Sequence, residues 1–160
     1  MIFGAYGEHI RFAVLSLDGS GVKSYGPYDV QLREVAISRR TTLLEENSYH
    51  FLETHDMRPR QKLPSGYRST WQDRHKLAVA KLAGYITEDT SPEDHAGLLL
   101  VSEGNRATDS LIEVHIYGAF DEGAIEAVRG KSRPKSRVDK TQLAVVKDYL
   151  KSAGKQWIEQ

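Results

Sequence analysis

Apolar and polar residues alternate most cleanly between Leu111 and Tyr117. Side chains in a strand repeat every two residues, so Ile112, Val114 and Ile116 share one face. Leu111, Glu113, His115 and Tyr117 share the other. The first face is purely apolar and suits a core. The second sets an acid and an imidazole roughly 7 Å apart along the strand. Gly118 ends the run. Two readings fit: a strand with a solvated outer face, or a cleft strand whose Glu113 acts as a catalytic acid or electrostatic stabiliser with His115 beside it.

The same patterning predicts the remaining elements. Ile10 to Leu17 reads as a strand, Asp18-Gly19-Ser20-Gly21 as a turn, and Val22 to Tyr25 as the returning strand. Tyr28 to Arg33 alternates again, with Tyr28, Val30 and Leu32 on one face, which completes an initial β-meander. Glu34 to Ser38 fits either a helical turn or a strand. Thr41 to Leu44 favours a strand, Asn47-Ser48 a turn, and His50 to Gly66 a loop. Ser69 or Thr70 is expected to cap a long helix carrying Trp71, Leu77, Ala78 and Leu82 and ending at Gly84. The apolar run Leu98 to Ser102 predicts a central strand, joined as a long-looped hairpin to the strand at Leu111. Asp121 is expected to cap a short helix that turns Ile125 and Val128 inward. Residues 130–137, GKSRPKSR, read as a linker or basic edge. Asp139 and Gln142 form a capping box for a last helix over 139–154, with Leu143, Val146, Leu150 and Ala153 as its stripe.

Composition narrows the function classes. The 160 residues suit a single domain, 1–160. Basic and acidic side chains balance at 22 each, so no global field attracts nucleic acid or an anionic membrane. With no cysteine, zinc-thiolate sites, disulfides and cysteine nucleophiles drop out. No run of about 18 apolar residues would span a membrane, and MIFGAYGEHIRF lacks the pattern of a signal peptide.

Two further stretches carry polar chemistry. Arg40, Thr41, Thr42, Asn47 and Ser48 are dense in hydrogen-bonding groups. They suit either a polar strand and turn or a ligand-holding edge, with arginine as a planar fork for phosphate. Arg58, Arg60 and Lys62 make a basic loop. His50 and His55, with Glu53 and Asp56 nearby, match no metal-ligand spacing, and no metal is expected.

The order Arg40, Thr42, Asn47, Ser48, then Leu111-Ile112-Glu113-Val114-His115-Ile116-Tyr117-Gly118, resembles ADP-ribosyltransferase-like toxin domains. In that family R-x-T-x-x-x-[GE]-[DN]-S precedes an acidic strand, [YFL]-[IV]-E-[AV]-[QH]-[IV]-[HYW]-G, and a short helix. The likeness spans Tyr25 to Val128, with close matches only at the two motifs. It implies a compact α+β domain with a split mixed or antiparallel sheet, flanking helices and an NAD cleft. Arg40 would hold the NAD phosphates or ribose, Thr42, Asn47 and Ser48 would support the cleft, and Glu113 would stabilise the oxocarbenium ion formed as nicotinamide leaves. NAD is then a substrate and the acceptor a protein or nucleic acid, with a small-molecule acceptor or hydrolysis of NAD alone as the alternatives. The family also implies a cognate immunity protein, no membrane, a monomer, and delivery within a larger secreted toxin that acts in the target cytoplasm. Two departures stand out. Leu111 replaces the acid or amide that arginine-modifying members carry two residues before the glutamate. The family's Ser-Thr-Ser strand has only Ser69-Thr70 as a counterpart, here read as a helix cap.

Two other classes use the same residues. An RNase toxin would employ Glu113 or His115 as acid or base and the basic loop as phosphate holder. A non-enzymatic interaction or immunity module would fill the cleft strand with side chains.

Overall fold

The computed structural model describes residues 3–58, 61–131 and 136–160. Seven strands are β1 (Ile10–Val14), β2 (Tyr28–Leu32), β3 (Thr41–Leu44), β4 (Arg68–Thr70), β5 (Glu113–Tyr117), β6 (Ile125–Gly130) and β7 (Gln156–Glu159). The α-helices are α1 (Glu34–Ile37), α2 (Ser48–Thr54), α3 (Arg74–Leu82), α4 (His95–Leu99) and α5 (Arg137–Ser152). The fold is α+β with two sheets. The first is antiparallel, in the order β1-β5-β3-β4. The second runs β2-β6-β7, with β2 antiparallel and β7 parallel to β6. None of the described helices is long and apolar enough to cross a membrane.

Strand β5 sits inside the first sheet because both its faces can be buried. Ile112, Val114 and Ile116 are shut off from solvent and pack with Leu43, Leu77, Leu82 and Leu99. Burying a side chain of this size stabilises the fold by about 1.5–3 kcal/mol. Helices α3 and α4 cover this face.

Several expectations are corrected. No β-meander forms, since β1 pairs with β5 and β2 with β6, and Lys23–Tyr25 is a 3₁₀ turn. Tyr28 and Val30 are half exposed rather than buried in a core. The expected loop after His50 is helical in its first turns, because Asn47 caps α2 by accepting the Tyr49 amide and Phe51 is buried. Ser69-Thr70 lies on β4, paired with Leu43 and Thr42, and α3 starts only at Arg74. The apolar run at Leu98 is divided: Leu98 and Leu99 end α4, Leu100 is its extended C-cap, and the hairpin shrinks to one bridge between Val101 and Ser110. After the Asp121-capped 3₁₀ turn the chain is strand, so Ile125 and Val128 sit on β6. The last helix is capped by Ser136, whose hydroxyl accepts the Asp139 amide, and it starts at Arg137. Of its expected stripe, Leu150 is buried and Val146 exposed. Arg60 and residues 132–135 of the 130–137 linker fall outside the described residues.

Candidate active site

Asn47 organises the junction between β3 and α2. Its side-chain oxygen caps the helix, and its amide nitrogen donates to the carbonyls of Arg106 (3.1 Å) and Asp109 (3.4 Å). This places Ser48, the first helical residue, over the start of β5. The Ser48 amide (3.2 Å) and hydroxyl (3.1 Å) both donate to Oε2 of Glu113. The amide is available because a helix leaves its first N–H groups without intrahelical partners.

The other carboxylate oxygen, Oε1, meets Nε2 of His115 at 2.5 Å. Backbone spacing along the strand is bridged by the two side chains leaning toward each other. The second face of β5 is therefore neither solvated nor fully open: the His115 side chain is 1% exposed and that of Glu113 12%. The rings of Phe3 and Phe12 meet the imidazole edge-on at 4.5 and 5.5 Å between centroids. Nδ1 of His115 is buried and has no partner among the described residues. A carboxylate can only accept, so with Glu113 as the carboxylate Nε2–H is the donor of this hydrogen bond. A carboxylate offers about four acceptor positions. Three are used here, and the carboxylate is thereby fixed in orientation.

A second carboxylate, one residue ahead of Asn47, holds the surrounding loops. Glu46 accepts from the amides of Asn47 and Leu111, the Ser110 hydroxyl and the ammonium of Lys81 at 2.9 Å. Lys81 is buried and also donates to the Glu45 carbonyl. This network ties α3, β3 and the approach to β5 into one support for Glu113.

Glu113 lines an open cleft of about 920 Å³ between β1 and β2, the facing edges of the two sheets, closed at one side by the 15–22 turn. Phe12, Tyr25, Tyr28, Trp71 and Phe120 give it aromatic walls. Its charged lining comprises Asp18, Asp29, Glu34, Glu113 and Glu126 against Arg74 and Arg129, so the cleft is net acidic. The Ser20 hydroxyl and amide hold the Asp18 carboxyl below the ordinary carboxylate range.

The sequence-derived candidates separate in space. Glu113, Ser48, His115 and Asn47 come together. Arg40 does not join them: its guanidinium donates to the carbonyls of Tyr117 (2.8 Å), Ala119 (2.7 Å) and Ala36 (3.2 Å). It clasps the far end of β5, where Gly118 adopts φ +82° and has no Cβ to crowd the guanidinium. Thr42 lies beside His115 in register and accepts from Arg68 at 3.1 Å, away from the cleft. Arg58 and Lys62 are exposed and do not line it. Sequence reasoning missed Glu46, Lys81 and Arg129. Glu46 occupies the [GE] position of the Arg40–Ser48 motif, a signal that was there to be used. Lys81 falls inside the apolar stripe of α3 without any mark of its buried partner.

Models of known protein families, curated proteins and solved structures all fail to match the chain.

Proposed function

We propose that this domain is an NAD-dependent ADP-ribosyltransferase of the bacterial toxin type, with Glu113 as its catalytic carboxylate. The observation that carries the reading is the carboxylate itself: held by three donors, nearly buried, on the wall of a large aromatic cleft. A fixed carboxylate in a partly dry site stabilises positive charge that develops in front of it, without reorganising at the moment of reaction. In NAD cleavage the N-glycosidic bond breaks, nicotinamide leaves with the bonding pair, and the ribose becomes an oxocarbenium ion. An acceptor nucleophile then bonds to the ribose carbon and releases its proton. Aromatic walls suit the flat nicotinamide and adenine rings. Ser48 and His115 are positioning residues that aim Glu113. Asn47 holds Ser48 in place, whereas Arg40 and Thr42 support the sheet rather than the ligand.

The acceptor is a protein or nucleic acid. Delivery within a larger secreted toxin, action in the target cytoplasm, a monomeric state and a cognate immunity protein follow from the resemblance. The RNase alternative loses ground on two counts. A net acidic cleft repels a polyanion, and His115 is sealed from any ribose hydroxyl. The interaction-module alternative expects a filled strand face; Phe3 and Phe12 do fill it over His115, and only the Glu113 end opens on the cleft.

The test is nicotinamide release from NAD by the purified domain, alone and with cell lysate as acceptor source. The expected result is release that disappears in Glu113→Ala while the fold is retained. No release in either condition, or release undiminished by Glu113→Ala, would overturn the reading.

A further inference from the structure

We infer that Arg129, on β6, is the anion-holding residue of the cleft and takes the phosphate groups of its ligand. If the ligand is NAD, as proposed above and on which this assignment of a dinucleotide rests, those groups are its pyrophosphate.

Arginine stays charged in proteins and presents a planar fork that fits phosphate oxygens. The two guanidinium groups lining the cleft differ in what they already bind. Arg74 is committed to Glu34 at 3.2 Å and to the Trp71 carbonyl at 2.9 Å, and it lies over the Trp71 ring. Arg129 forms no hydrogen bond or ion pair with any described residue, and its Nε is buried. A buried charged donor without a partner is costly to leave so, and a ligand oxyanion removes that cost. Arg40, the anion clamp expected from the sequence, has its guanidinium engaged by three backbone carbonyls.

The chain also builds a seat for this side chain. A Cβ at Gly19 would stand 2.7 Å from Nε and from one terminal nitrogen of Arg129, so the guanidinium rests directly against the Gly19 backbone. Gly19 has φ +79°, a conformation that already favours glycine. The turn is braced from within by Asp18, which accepts from the Ser16 and Ser20 hydroxyls and the Ser20 amide. Asp29, opposite Arg129 on β2, does not neutralise it: Asp29 packs against Gly21 and accepts from Gln160 at 3.0 Å. Arg129 is thus a cation without an ion pair among the described residues, seated against a glycine turn in an otherwise acidic cleft.

The experiment is calorimetric titration of the wild-type domain, Arg129→Met and Arg129→Lys with ADP-ribose, adenosine and inorganic pyrophosphate. ADP-ribose lacks the scissile bond and reports binding alone. Arg129→Met is expected to weaken ADP-ribose and pyrophosphate by about 10- to 100-fold and leave adenosine unchanged. Arg129→Lys, which keeps the charge and loses the fork, is expected to fall between. Unchanged ADP-ribose affinity in both variants, or an equal loss of adenosine, would overturn the proposal. If the wild type binds pyrophosphate but not ADP-ribose, the NAD reading fails and the anion site stands, provided Arg129→Met abolishes it. Absence of pyrophosphate and ADP-ribose binding in the wild type overturns both.

Discussion

His115 joins two jobs that substitution can pull apart. Its Nε2 donates to Glu113, and its ring fills the space between Phe3 and Phe12. His115→Phe keeps a ring and removes the donor. His115→Gln keeps an amide donor of similar reach and removes the ring. A hydrogen bond to a charged acceptor contributes about 1.5–3 kcal/mol. If Glu113 acts on a transition-state cation, losing that restraint appears in kcat, as a fall of about 10- to 100-fold, with KM for NAD little changed. The Phe variant leaves Oε1 of Glu113 without its donor and is expected to lose about 1.5–3 kcal/mol of stability, offset in part by two features of the site. It eliminates a buried Nδ1 that lacks a partner, and Phe12 is more than half exposed and free to accommodate the larger ring. The Gln variant loses two edge-on ring contacts, each worth about 0.5–1.5 kcal/mol, and is expected to be destabilised to a similar degree but to be the more active of the pair. Initial rates of nicotinamide release and urea unfolding read the two axes. A Phe variant as active as wild type, or a Gln variant as inactive as the Phe variant while folded, would refute a positioning role carried by this hydrogen bond.

Arg40→Ala is expected to lower stability by about 2–4 kcal/mol in urea unfolding, because three carbonyls lose a charged donor. Undiminished stability with weakened NAD binding would instead make Arg40 a ligand residue. Asp18 supplies a pH test. Its carboxyl is held below the ordinary value of 3.8 chiefly by the Ser20 hydroxyl and then the Ser20 amide. A depressed folded value contributes stability above the unfolded one, and the contribution is lost as pH falls through the folded value. The difference in urea midpoint between wild type and Asp18→Asn is therefore expected near neutral pH, to begin closing as pH falls below about 4, and to vanish only below the depressed folded value. A gap that persists in acid would remove Asp18 from that role.

The sequence was most informative where period and burial coincide. The apolar face of β5 follows from Ile112, Val114 and Ile116 alone, and the carboxylate on its other face stands in the same seven residues. What covers that face is not local. Phe3 and Phe12 approach His115 through folding of a segment about a hundred residues earlier. Ser69-Thr70 shows how a local signal misleads: a hydroxyl pair before a helical pattern reads as a cap, yet pairing with Thr42 and Leu43 makes it strand. The run at Leu98 is too short for periodicity to separate helix from strand. Ile125 and Val128 are three apart, a helical spacing, and only the neighbours β2 and β7 decide for strand. For the same reason Arg129 had no visible role, since a residue assigned to a helix cannot be set against a turn on another sheet. The Arg40–Ser48 motif split because its two ends serve opposite ends of β5.

Glu46 has a consequence in time rather than in space. Its side-chain partners lie 35, 64 and 65 residues away in the chain. Closing loops of that size costs entropy before any contact rewards it. These polar contacts, which need several distant segments already in place, are expected to form after the barrier to folding is crossed. Substitutions there are expected to hasten unfolding while leaving the folding rate nearly untouched. Variation around Glu46 would then shorten the lifetime of the native state without slowing the search that reaches it.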